Sequence, residues 1–80
     1  VTNCTAEFFI EPFEEGVLGS HVRSGIAAME AAGLTVSMGP FGSTVTGDLR
    51  EVSSALGAMV NAAAIDGAQS VRVEVMIDPS

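Results

Sequence analysis

The chain has no tryptophan, no tyrosine and no lysine, and only one histidine and one cysteine. Arg23, Arg50 and Arg72 are widely spaced and face ten carboxylates, for a net charge of −7. A phosphate backbone is bound by clustered Lys and Arg, which this chain lacks, so a nucleic-acid partner is not expected. The same balance disfavours an anionic membrane surface, and no apolar run approaches the roughly twenty residues of a spanning helix. A small neutral or cationic ligand is compatible with that charge. With Cys4 alone there is no intramolecular disulfide framework, and a small buried thiol is expected near a strand start. His21 has no second His to complete a transition-metal set, so no metal site is expected and a surface or capping role is. Glu14 and Glu15 read as a solvated loop pair. No nucleophile, base and orienting group converge in the pattern, so no catalytic residue or catalytic cofactor is expected. No secretory leader pattern is seen, and a cytoplasmic location is the expectation.

What is present suffices for a folded core. Eighty residues that are 48% apolar make a single domain over 1–80, which buries about 60–65% of its extended surface. Cys4, Ala6, Phe8 and Ile10 alternate with Thr5, Glu7, Phe9 and Glu11, a strand pattern that Pro12 stops. Phe13–Gly19 reads as an acidic, Gly-containing loop. Ser20 offers a helix cap, with Leu18 as another start, and Val22, Ile26, Met29 and Gly33 recur on one side. Gly33 is a C-terminal stop, and Gly25 inside the helix implies close packing against a strand. Leu34, Val36 and Met38 form one face of a short strand, the Gly39–Gly42 connection turns the chain, and Ser43–Gly47 returns. A second helix begins near Asp48, with Glu51 three residues on as in a capping box. Val52, Leu56, Met59, Val60 and Ala63 line its inner side, and Asp66-Gly67 ends it. Val71, Val73, Val75 and Ile77 then alternate with Arg72, Glu74 and Met76.

The order βαββαβ predicts an α+β, ferredoxin-like fold: a four-stranded antiparallel sheet with two helices on one face. Phe9 and Met76 fall on the helix-free face, which predicts a homo-oligomer, a homodimer or homotetramer, using at least part of that face.

The densest functional signal is Gly39-Pro40-Phe41-Gly42-Ser43-Thr44-Val45-Thr46-Gly47-Asp48. With Ala6-Glu7-Phe8-Phe9-Ile10-Glu11-Pro12 and Gly33-Leu34-Thr35-Val36, it resembles the small thiamine-binding domains related to the bacterial hydroxymethylpyrimidine/thiamine-binding proteins. The resemblance covers nearly the whole chain. It implies a ferredoxin-like domain in an oligomeric or pseudo-oligomeric arrangement that binds thiamine or its hydroxymethylpyrimidine moiety without catalysis, for transport or salvage. Some relatives carry two such domains in one chain, so two copies here would meet as separate subunits. Family members often have Gly-Thr after the central turn's aromatic or Met. Here Gly42-Ser43 keeps the hydroxyl and loses a methyl.

An aminopyrimidine is flat with a polar edge, and thiamine adds a thiazolium cation. Phe9 or Phe41 can cover the ring face, and Glu11, Ser37, Ser43 or Thr44 can address its edge. Gly39 and Gly42 permit close backbone approach or supply unusual turn dihedrals. Each residue also has a plainer role: Phe9 as an interface anchor, Phe41 as a turn closure, Glu11 as a solubilising strand end. The pocket sequence contributes no Lys or Arg, which predicts a preference for unphosphorylated ligands. An assembly or regulatory domain that binds no vitamin is the other reading of the same fold.

Overall fold

The computed structural model describes residues 2–12, 19–39 and 42–78. The elements run β1 (Asn3–Glu11), α1 (Ser20–Ala31), β2 (Val36–Met38), β3 (Ser43–Asp48), α2 (Leu49–Ile65) and β4 (Ser70–Ile77). All strand neighbours are antiparallel, in the spatial order β2-β3-β1-β4. This is the ferredoxin-like arrangement expected from the element order.

Alternation in β1 sorts its side chains cleanly. Cys4, Ala6, Phe8 and Ile10 are buried, whereas Thr5, Glu7, Phe9 and Glu11 are half-buried on the opposite face. Directly opposed residues in a sheet share a face. Ala6 therefore lies beside Val45 and Val75 under the helices, while Phe9 lies beside Arg72 on the helix-free side. Val22, Ile26 and Met29 of α1 and Val52, Ala55, Met59 and Ala63 of α2 complete the core.

Both helices stop by the same device. In α1 the Gly33 amide donates to the Glu30 carbonyl and the Leu34 amide to that of Met29; in α2 Gly67 and Ala68 do likewise to Ala64 and Ala63. This double bond pattern needs a left-handed residue, and Gly33 and Gly67 have φ of 89° and 100°. Asp48 caps α2 by accepting from the amides of Arg50 and Glu51 at 3.1 and 3.2 Å.

Several details depart from the sequence pattern. Gly19, not Ser20, is the residue before α1, and no side chain caps that helix. Leu34 is buried but precedes β2, because its amide closes the α1 terminus instead of joining the sheet. Gly33 belongs to that terminus and is exposed rather than part of the α1 inner face. On α2, Ala55 is buried while Val60 is 40% exposed, so its inner face is rotated from the expected one. His21 donates from Nε2 to the Pro12 carbonyl at 2.6 Å, tying the start of α1 to the end of β1.

Gly25 sits where α1, α2 and β1 converge. A Cβ there would lie 2.6 Å from Ile10 Cδ1 and 3.3 Å from Met59 Cγ. Gly25→Ala gains about 1 kcal/mol of helix propensity but overpacks the core at a cost of about 1–3 kcal/mol. A lowered urea midpoint, with a net loss of about 1 kcal/mol, is expected from that balance. A stabilised variant would show that Ile10 yields freely.

Candidate functional site

β1 is longer than its pairing with β3. The β1–β3 register ends at Phe8 opposite Ser43, whereas β4 follows β1 to Glu11. Bonds flanking the ladder, from the Leu49 amide to the Thr2 carbonyl and from the Asp78 amide to the Asn3 carbonyl, fix which residues face which neighbour. Even-numbered β1 residues direct N–H and C=O toward β3, and odd-numbered ones toward β4. The backbone groups of Ile10 are thus turned to the β3 side beyond the last described pair.

A cleft of about 270 Å³ lies at this end of the sheet, bordered by Phe8, Phe9, Ile10, Val22, Met38, Gly39, Gly42 and Ser43, with Glu11 and Arg72 on its polar side. Phe8, Ile10, Val22 and Met38 give it apolar walls. Ser43 is the buried polar residue of the described chain, 7% exposed, and its hydroxyl has no hydrogen-bond partner among the described residues.

The aromatic border is Phe9. A Cβ on Gly42 would lie 2.5 Å from Phe9 Cε1 and 2.8 Å from Cδ1, so the ring rests directly on the Gly42 backbone. On the β4 side the Arg72 guanidinium carbon stands 5.6 Å from the ring centroid. Arg72 Nε is 3.5 Å from Glu11 Oε1, and the Ser70 hydroxyl donates to the same oxygen at 2.9 Å. Glu11 is therefore a held carboxylate rather than a free strand-end charge.

Of the residues singled out by sequence, Phe9, Glu11, Gly42 and Ser43 meet at this cleft. Ser37 and Thr44 are opposed to each other on the helix-free face and do not border it. Phe41 lies outside the described residues. Gly39 and Gly42 do not have positive φ: close approach by Phe9 explains Gly42, and the Gly39 amide bonds to the Gly42 carbonyl at 2.7 Å. Arg72 overturns the expectation of a cleft without a cation. Its place on the helix-free face was readable from the β4 alternation, but its position opposite Phe9 comes from a register between distant segments.

Cys4 is fully buried at the far end of β1, away from the cleft. Desolvation, followed by the nearby carboxylates of Asp78 and Asp48, pushes its thiol above the usual range, the opposite of what a reactive thiolate needs. That end also has a wider depression lined by Thr2, Asp48, Leu49, Arg50 and Glu51, which lacks an aromatic wall. Among the described residues no group of His, Cys, Asp and Glu is arranged to hold a metal, and no helix is long and apolar enough to cross a membrane.

The family model for thiamine-binding proteins matches residues 6–79. The chain belongs to the thiamine-binding protein family. Members of that family bind their ligand without catalysis, so this is a binding protein for thiamine or its hydroxymethylpyrimidine moiety and not an enzyme. No curated protein matches the chain. Among solved structures, a domain of unknown function from Bacillus cereus is 20% identical with a TM-score of 0.71, over 98% of this chain and 76% of its own. A hypothetical protein of Methanocaldococcus jannascii is 24% identical with a TM-score of 0.68, over 98% and 80%. A Thermotoga maritima protein described as a candidate in thiamine biosynthesis or salvage is 19% identical with a TM-score of 0.68, over 98% and 84%. At such identities the likeness establishes the fold, and the thiamine-binding family assignment rests on the sequence match.

Proposed function

We propose that the cleft at the end of β1 is the seat of the ligand, with the pyrimidine inside and the thiazolium at its mouth. The observation that carries this reading is the Phe9 ring held on Gly42 in the cleft that Ser43, a buried residue, also borders. A cleft of about 270 Å³ suits one substituted ring, just below the range of drug-sized pockets. The ring stacks on Phe9, and its polar edge meets the Ser43 hydroxyl. Glu11 at the mouth attracts the thiazolium, with part of its charge offset by Arg72. The same reading places the protein in vitamin transport or salvage in the cytoplasm, as a self-associating single domain.

Calorimetric titration of ligand-free protein with thiamine, thiamine monophosphate and hydroxymethylpyrimidine tests the reading. Thiamine and the free pyrimidine should bind saturably, and Ser43→Ala should weaken both about five- to tenfold through loss of one hydrogen bond. Because Arg72 borders the cleft, the monophosphate should bind no more than about tenfold more weakly than thiamine. An intact fold with no saturable heat from any of the three would contradict the assignment. Unchanged affinity in Ser43→Ala would remove only that hydroxyl from the site.

A further inference from the structure

Phe9, Glu11, Ser70 and Arg72 occupy one corner of the helix-free face. Across β1 and β4, Phe9 is directly opposed by Arg72 and Glu11 by Ser70, so Arg72 reaches Glu11 along the diagonal of the ladder. Their contacts form a chain: Ser70 to Glu11, Glu11 to Arg72, and Arg72 over the ring of Phe9. Both bonds to Glu11 fall on Oε1, and among the described residues Oε2 has no partner. Arg72 is also the cation that borders the cleft. With Phe9 it lines a second, open depression that holds Glu7 and Glu74, which are themselves directly opposed.

We propose that Arg72 is a selectivity residue of the cleft: it cancels the Glu11 charge at the mouth and so lets neutral hydroxymethylpyrimidine compete with cationic thiamine. This deepens the binding reading proposed above and rests on it. A lone Glu11 carboxylate would attract a thiazolium and leave a neutral ring almost unaffected. With Arg72 Nε 3.5 Å from that carboxylate, the pair presents little net charge to a ligand at the mouth. The guanidinium over Phe9 also repels a second cation brought to that ring, whereas a neutral ring keeps its stacking. The effect is moderate, because the Arg72 and Glu11 side chains are 72% and 42% exposed and water screens them. Arg72 therefore acts on the thiazolium half of the ligand, while Phe9 and Ser43 act on the pyrimidine half.

Calorimetric titration of the wild type and Arg72→Gln with thiamine and hydroxymethylpyrimidine, at low and high salt, tests this. In Arg72→Gln the ratio of the two affinities should move about three- to fivefold toward thiamine. That gain should fade as salt is added, which a merely structural change would not reproduce. Arg72→Lys keeps the charge and should keep the wild-type ratio. A Lys variant that behaves like the Gln variant would trace the effect to the guanidinium fork and overturn the charge argument. Glu11→Gln leaves Arg72 unopposed and should move the ratio the other way by a similar factor. Glu11→Gln combined with Arg72→Gln should return the ratio close to that of the wild type, since both charges leave together. A ratio still shifted toward thiamine in that double variant would assign the attraction to Glu7 and Glu74 and overturn the pairing with Glu11. An unchanged ratio in both single Gln variants overturns the selectivity role alone and leaves the cleft as the seat of the ligand. Failure of the folded wild type to bind either ligand overturns the inference together with the reading it rests on.

Discussion

Phe8→Ala is expected to remove about 3–5 kcal/mol of folding free energy, the cost of emptying a buried aromatic position. Phe8 is 1% exposed and is among the largest fully buried side chains of the core. It lies between Ser43 and Val73 on the helix side of the sheet. A domain of this size has about 5–15 kcal/mol of stability in total, often near the lower figure. The variant should therefore show a strongly reduced urea midpoint and a substantial unfolded fraction near room temperature. Phe8→Leu, which keeps most of the volume, should lose less than half as much. A small effect of Phe8→Ala would mean that the strand faces are assigned the wrong way round.

The adjacent residue should behave in the opposite manner. Phe9→Ala is expected to change stability little and to weaken thiamine and hydroxymethylpyrimidine about ten- to thirtyfold, by loss of the stacking surface. Gly42→Val should weaken binding by a similar factor, because a Cβ there would lie 2.5 Å from the Phe9 ring and must displace it. The double variant should bind about as weakly as Phe9→Ala alone, since both changes act through the position of one ring. Additive losses would show that Gly42 serves the ligand by some other route. Calorimetry gives the affinities, and denaturation checks that each variant stays folded.

The contrast between Phe8 and Phe9 was legible in the sequence, because period-two alternation assigns neighbours to opposite faces whatever the rest of the chain does. Gly33, Gly67 and the Asp48 cap were legible for a similar reason: each acts within a few residues of itself. Arg72 is not legible as a site residue in the sequence, because its place beside Phe9 depends on pairing between strands at opposite ends of the chain. The sequence around Gly42 is compatible with either a turn dihedral or a close approach, and the Phe9 ring against its backbone decides for the second. The burial of β4 was only half legible. Alternation put Val73, Val75 and Ile77 on the helix side, but it carries no information on how far two helices reach across four strands. They stop short of the edge, and Ile77 is 60% exposed.

Assigned amide resonances followed through a thiamine titration test the central claim most directly. Saturable shifts are expected to concentrate at Phe9, Ile10, Gly42, Ser43 and Arg72, with hydroxymethylpyrimidine reproducing the Ser43 and Ile10 changes and affecting Arg72 less. Shifts gathered instead at Asp48, Leu49, Arg50 and Glu51, at the opposite end of the sheet, would contradict the placement of the ligand.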